Sequence, residues 1–407
     1  MPIRKAGFFS SFDQRRRGPC TAGAPLHMNL ALFFDPLTDE VPAGAGTTLG
    51  AHVARFVDTF PDWRGADLAL IGLNEWRGSA AGEPAASAPD AIRPRFYQLQ
   101  RGSGPCRLVD LGNLRNGLTL EDTYLRLREI VAALLEEKTV PILLGGSHDL
   151  DIGQFLAYET LDRAVSLTCI DARVDMVEEA GVPAEESHLR RLLMHEPNFL
   201  FNFGQLAHQQ YLVPTSVLAA LEKLHFETLR LGQIRDDVRQ AEPLLRQADL
   251  ISFDLSALRW PEFPGYLPAS PFGLTAEEAA QLCWYAGHND QLTSIGLYGY
   301  RPDHDLLGLA ASTAATMLWY FVEGYYHRRY ETDFTSRRFI RYAVGLPGNP
   351  AKLVFYKAKR TEKWWMEVES LADHSVRRIV PCSYQDYLRA AQGDLPNRWI
   401  LTQALLG

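Results

Sequence analysis

The chain has 407 residues, enough for one large domain with an appendage or for two domains, and its 46% hydrophobic and 22% charged content is that of a globular protein with a sizeable core. A formal charge of −8 argues against bulk electrostatic binding to nucleic acid or to an anionic membrane, and no apolar run approaches the ~20 residues of a spanning helix. The five cysteines, Cys20, Cys106, Cys169, Cys283 and Cys382, include no Cys-x-x-Cys pair and read as reduced thiols of a cytoplasmic protein.

Residues 1–27 carry basic groups, but their apolar stretch is too short and broken for a signal peptide. They read as a disordered tail, with Met28 an alternative start. From about residue 67, short β-rich apolar runs alternate with amphipathic ones. Strands are predicted at 67–73, 107–112, 139–146, 164–171, 198–204, 227–232, 249–255 and 292–299. Helices are predicted at 120–137, 150–160, 215–225, 275–287 and 306–329. The stretch 78–94, rich in Gly, Ala, Ser and Pro, reads as a loop over the sheet edge. Thr275 and Glu278 form a capping-box pattern at the start of their helix. This alternation implies βαβ units and a three-layer α/β domain over 28–330, with a mainly parallel eight-stranded sheet. Past Tyr330 the composition shifts, and 331–407 reads as an appendage, a hairpin with a charged turn followed by a helix. Its Lys357, Lys359, Arg360, Lys363, Trp364 and Trp365 are read as a solvated edge over buried aromatics rather than a nucleic-acid surface.

Three predicted strands end in polar clusters: Gly145-Gly146-Ser147-His148-Asp149, Asp171-Ala172-Arg173-Val174-Asp175 and Ser252-Phe253-Asp254-Leu255-Ser256. Open parallel sheets bind ligands outside the carboxyl ends of their strands, so the three clusters share one kind of place. The arginine between two aspartates is unusual for a metal site, because a guanidinium stays protonated and offers only donors.

Together these stretches resemble the ureohydrolase family of arginase, agmatinase and formimidoylglutamase, which holds two manganese ions on Gly-Gly-x-His, Asp-Ala-His-x-Asp and Ser-x-Asp-x-Asp at three strand ends. The segments "LALIGLNEW", "PDAIRPRFYQL", "VDLGN" and "GLTAEEA" and the Pro302 region occur in family order, so the resemblance covers roughly residues 65 to 330. It implies an arginase-type fold and a homo-oligomer. It also implies that one metal position survives, on His148, Asp171, Asp175 and Asp254, while the other has lost its middle His and last Asp to Arg173 and Ser256. Two expectations follow. Either one Mn ion at most is held, with the Arg173 guanidinium as counter-charge for the second, or Arg173 bridges the aspartates in a metal-free site.

By the same resemblance His188, after Ser187, carries protons, with Asp171 and Arg173 beside it in the catalytic set, and Ser187, Thr275 and Gly299 stand around the substrate. Gly299-Tyr300-Arg301 replaces the family's Glu-Val-Asn, removing the carboxylate that grips a guanidinium and arguing against arginine hydrolysis. Glu178, Glu179, Glu185 and Glu186 in the following loop, if turned inward, disfavour a dicarboxylate and favour a cationic substrate. No Gly-x-Ser-x-Gly elbow, zincin helix or dinucleotide loop occurs. The reading is a divergent, formimidoylglutamase-like hydrolase of linear amidine or amide C–N bonds; the alternative is an inactive homologue that binds a small molecule or a partner.

Overall fold

The computed structural model describes residues 29–38, 46–348, 350–370, 373 and 375–406. The 1–27 tail, Met28 and Cys20 lie outside the described residues. Ten strands form the main sheet: β1 Phe34–Asp35, β2 Ala54–Arg55, β3 Leu68–Gly72, β4 Leu108–Leu114, β5 Val140–Leu144, β6 Val165–Ile170, β7 Leu200–Leu206, β8 Glu227–Leu229, β9 Leu250–Asp254 and β10 Ser294–Tyr298. Their order is β1-β4-β3-β5-β10-β9-β6-β7-β8, with β2 also on β4, and every pairing is parallel except β1 with β4. The eight predicted strands are β3 to β10. The two extra strands are two-residue pairings on β4, too short to leave a periodic signal.

Successive strand residues face opposite sides, and here both sides are buried. Leu68 and Leu70 pack into one apolar cluster, Ala69 and Ile71 into another. Leu120–Glu136, Asp151–Thr160, His188–Leu193 and Thr215–Lys223 cover one face; Ala88–Gln98, Ala276–Gly287 and Leu309–Tyr326 cover the other. The layers are therefore α/β/α.

The stretch 78–94 is not loop throughout, because the helix Ala88–Gln98 begins inside it. Ser87 caps it, its hydroxyl accepting from Asp90 N at 3.4 Å, and Pro89 sits in the first turn, where no amide donor is needed. Arg93 on this helix is fully buried and binds both carboxylate oxygens of Asp110, at 2.7 and 3.1 Å.

The C-terminal segment holds more than a hairpin. Strands β11 Phe339–Gly345, β12 Lys352–Ala358, β13 Trp364–Glu369 and β14 Arg377–Cys382 form an antiparallel sheet, followed by helices Tyr384–Ala391 and Asn397–Leu406. It docks through arginines. Arg246 lies 4.3 Å over the Trp365 ring and donates to Trp364 O at 2.8 Å, and Arg398 pairs with Glu227 at 2.5 Å. Trp364 and Trp365 are buried as expected. Among the described residues no helix is long and apolar enough to cross a membrane.

Candidate metal centre

The clusters after β5, β6 and β9 meet because β10 and β9 fill the space between β5 and β6, which places all three carboxyl-terminal ends around one crevice. Gly145 and Gly146, at φ +94° and +74°, turn the chain so that His148 reaches it; a Cβ on Gly145 would stand 2.7 Å from Leu73 O. His148, Asp171 and Asp254 are buried and Asp175 is nearly so.

His148 is oriented by a relay. Ser252 Oγ donates to Asp151 Oδ2 at 2.9 Å, since an ionised carboxylate only accepts, so the same oxygen accepts from His148 Nε2, also at 2.9 Å. That bond keeps a proton on Nε2, so Nδ1 is the nitrogen that would lose its proton to ligate a metal. Nδ1 has no hydrogen-bond partner and stands 3.2 Å from Asp254 Oδ2, 3.4 Å from Asp175 Oδ2 and 3.5 Å from Asp171 Oδ2. Donors bound to one ion at about 2.1 Å with angles of about 90–110° lie about 3.0 to 3.4 Å apart, close to the three separations from His148 Nδ1.

The other carboxylate oxygens are occupied. Asp171 Oδ1 accepts from Ser256 Oγ at 3.0 Å and from Arg173 N at 2.9 Å, and Asp254 Oδ1 accepts from Ser256 N at 2.6 Å. A second ion would have to displace these bonds.

The expectation that the Arg173 guanidinium supplies counter-charge or bridges the aspartates does not hold. Its side chain is exposed, and among the described residues it makes no ion pair with Asp171, Asp175 or Asp254; only its backbone serves the turn, with Gln205 Nε2 donating to Arg173 O at 3.0 Å. A guanidinium in water keeps its hydration, which burial among carboxylates would remove. The cation facing the cluster is instead His188, buried at the start of its helix, with Nδ1 on Asp151 Oδ1 at 2.8 Å and Nε2 on Asp175 Oδ2 at 3.3 Å.

Burial opposes charge on both histidines, yet the carboxylates prevail. His148 is held well above the usual imidazole range by Asp254, Asp171 and Asp175, and His188 is pushed up to about 9 by Asp151 and Asp175. Burial and then the charges of Asp175 and Asp254 push Asp171 up to about 7, whereas at Asp175 the two neighbouring histidines overcome burial and lower the carboxyl. Cys169 Sγ lies near His148 in a second group with ligand potential, but burial pushes this thiol up to about 12, so it is a poor thiolate donor.

Around the cluster, Ser187 Oγ donates to Ala184 O at 3.5 Å. Thr275 caps its helix, accepting from Glu278 N at 3.1 Å, so its hydroxyl is committed locally. At Gly299, φ +86°, a Cβ would stand 3.0 Å from Asp254 Oδ1 and 3.2 Å from the Tyr266 ring. Glu178 and Glu179 are exposed, Glu178 pairing with Arg190, and so do not face inward. Glu185 does turn in: Ser79 Oγ and Ala80 N donate to it at 2.8 and 3.2 Å, and burial pushes its carboxyl up to about 7, with the charge of Asp254 adding to the rise.

Sequence reasoning missed Asp151 and Tyr266 as parts of the site and named Ser252 in the third polar cluster without giving it a role. Asp151 has a signal, since it follows His148 by three residues at a helix start; Ser252 gains its role only from the strand order, which sets the ends of β5 and β9 on either side of β10; Tyr266 lies in a Pro/Gly-rich loop with no signal.

The model of the arginase family matches residues 66–323. Among curated proteins, the chain is 25% identical over 275 residues to the formimidoylglutamase of Rhodococcus jostii (strain RHA1), covering 61% of this chain and 83% of that one. It is 24% identical over 293 residues to that of Salmonella paratyphi C (strain RKS4594), covering 69% and 93%. Among solved structures, the Trypanosoma cruzi formiminoglutamase with Mn2+2 superposes with a TM-score of 0.58 at 22% identity, covering 65% of this chain and 95% of that one. The formimidoylglutamase of Bacillus subtilis subsp. subtilis str. 168 also gives 0.58, at 19% identity, covering 78% and 98%.

Proposed function

The chain belongs to the arginase family, and from that premise we propose that it hydrolyses a C–N bond of a linear amidine or amide, as a formimidoylglutamase-like enzyme with one divalent ion, Mn or Mg. The observation that carries this reading is His148 Nδ1, buried without a partner and facing one oxygen each of Asp171, Asp175 and Asp254. These four residues would hold the ion. With Asp151, four buried carboxylates surround His148 and His188, and a divalent cation supplies the charge such a cluster lacks.

When bound, such an ion polarises a carbonyl or amidine and acidifies water. The chain's own residues do the rest. His188 holds a proton at Nε2, is oriented at Nδ1 by Asp151, and can pass that proton to a leaving nitrogen. Tyr266 takes the space beside Gly299 where the family's guanidinium grip would stand. Arg301, buried, lies 5.1 Å over the Trp76 ring and donates to Gly82 O at 2.7 Å, pinning the 78–87 loop over the crevice. Glu185 supports a substrate bearing an amidinium over a dicarboxylate.

The second reading, a catalytically silent small-molecule or partner binder, is favoured by the hydrogen bonds that close the second metal position. Both readings share a homo-oligomer, taken from the family resemblance, and a cytoplasmic place, taken from the unpaired cysteines. The test is metal analysis of purified protein incubated with excess Mn²⁺ and desalted. About one ion per chain, abolished by Asp254→Asn, together with ammonia or urea release from a panel of amidines, guanidines and ureides supports the hydrolase. One ion without turnover supports the silent binder. No retained ion, with the same melting temperature in Mn²⁺ and in chelator, overturns the single-metal site.

A further inference from the structure

A second polar cleft lies one strand beyond β6, between the carboxyl ends of β7 and β8 and the C-terminal helices, with a volume of about 760 Å³. That is the size range of small-molecule sites. One wall belongs to the segment matched by the family model; the other belongs to the helices Tyr384–Ala391 and Asn397–Leu406, which lie outside that match.

At its floor is His208, only 4% exposed, whose Nδ1 has no hydrogen-bond partner. Buried polar nitrogens are normally paired, and this one, on a residue that lines the cleft, is not. Ala207 just before it takes φ +66°, a left-handed conformation unfavourable for a non-glycine residue. Strain of this kind persists where surrounding structure or function demands it.

The charges in the cleft are unevenly matched. Glu227 and Asp386 are both tied to Arg398, at 2.5 and 3.5 Å, and Asp386 also caps its helix by accepting from Ser383 N at 2.8 Å. Glu222 is exposed at the rim. Arg230 on the family wall and Arg389 on the C-terminal wall have no carboxylate partner among the described residues; Arg230 makes one contact of 3.4 Å, to Gln210 Oε1. Burial and then the positive charge of Arg230 push His208 down to about 4, in keeping with Arg230 lying close to it.

We propose that this cleft binds a small oxyanion-bearing molecule, a carboxylate or a phosphate, held between Arg230 and Arg389 with an oxygen or hydroxyl directed at His208. Guanidinium groups bind both anions through paired N–H donors, and a neutral imidazole supplies one donor or acceptor. The site requires the C-terminal helices, which gives the appendage a ligand-binding role separate from the metal centre.

Calorimetric titration of the full chain with inorganic phosphate and, separately, with succinate tests it. The expected result is saturable binding of at least one probe, unchanged in Asp254→Asn and weakened at least tenfold in Arg230→Gln/Arg389→Gln, with His208→Gln weakening it as well. Phosphate binding alone marks a phosphorylated ligand, and succinate binding alone a carboxylate. Both arginines are exposed, so the double variant keeps the fold. No saturable binding of either probe, or binding that the double variant leaves unchanged, overturns the proposal.

Discussion

The Ser256 hydroxyl donates to Asp171 Oδ1 across 3.0 Å, on the carboxylate oxygen turned away from His148. In the family's pattern the residue at 256 is an aspartate that helps hold a second ion; here a hydroxyl satisfies the same oxygen without charge. Ser256→Asp with Arg173→His therefore restores both missing donors, and retained Mn²⁺ rises from about one to about two ions per chain by elemental analysis. A count that stays at one would mean that the backbone donors Arg173 N and Ser256 N, rather than the two side chains, close the position.

Because the Arg173 guanidinium is exposed, Arg173→Ala leaves Mn²⁺ retention unchanged and stability within ~0.5 kcal/mol, as for other surface substitutions away from special features. A loss of several kcal/mol in urea unfolding would reinstate the arginine as a buried counter-charge.

Ser252→Ala removes the acceptor that fixes the His148 tautomer, while leaving the four candidate ligands in place. Partners of this kind behind a metal ligand are worth about 10–100-fold in affinity. Calorimetric titration with Mn²⁺ should show a loss in that range; an unchanged dissociation constant would mean that Ser252 does not set the ring.

How far the sequence reaches is visible in these residues. Eight strands were legible because runs buried on both faces are continuously apolar, and the three polar clusters were legible as strand ends, whereas the choice of His148, Asp171, Asp175, Asp254 and Ser256 within them came from the family resemblance. The path of Arg173 was not legible, since sequence states a charge and not where its long side chain points. Nor was the relay through Ser252 and Asp151, which joins residues 101 apart through strand order alone. The four-stranded C-terminal sheet escaped notice because its strands mix buried aromatics with exposed arginines, as in Arg377 and Arg378, and blur the alternation.

His288 sits where the main domain meets the C-terminal sheet, its carbonyl accepting from Lys363 Nζ at 3.1 Å. Burial and then the Lys363 charge push its imidazole down to about 4 from an ordinary 6.5. Above about 6.5 the ring is neutral whether the chain is folded or not; as pH falls the unfolded chain takes the proton first, so stability drops until about 4 and then levels. His208, pushed down to about 4, adds in the same direction. Urea unfolding of His288→Gln across this window should give a shallower fall than wild type, and parallel curves would remove His288 as a cause.

Gly299 shows why the lost carboxylate grip is not restored by one substitution. At φ +86° any side chain is strained, and a Cβ there meets Asp254 Oδ1 at 3.0 Å and the Tyr266 ring at 3.2 Å. Gly299→Ala should cost about 1–2 kcal/mol in urea unfolding. Gly299→Glu should be worse, because its carboxylate adds a like charge beside Asp254 in a site already crowded with acid. If Tyr266 is the obstacle, Gly299→Glu/Tyr266→Ala recovers part of the lost stability and strengthens binding of guanidinium compounds in the presence of Mn²⁺. If the backbone is the obstacle, removing the ring recovers nothing, and specificity in this chain is set by the left-handed turn after β10 rather than by the aromatic wall.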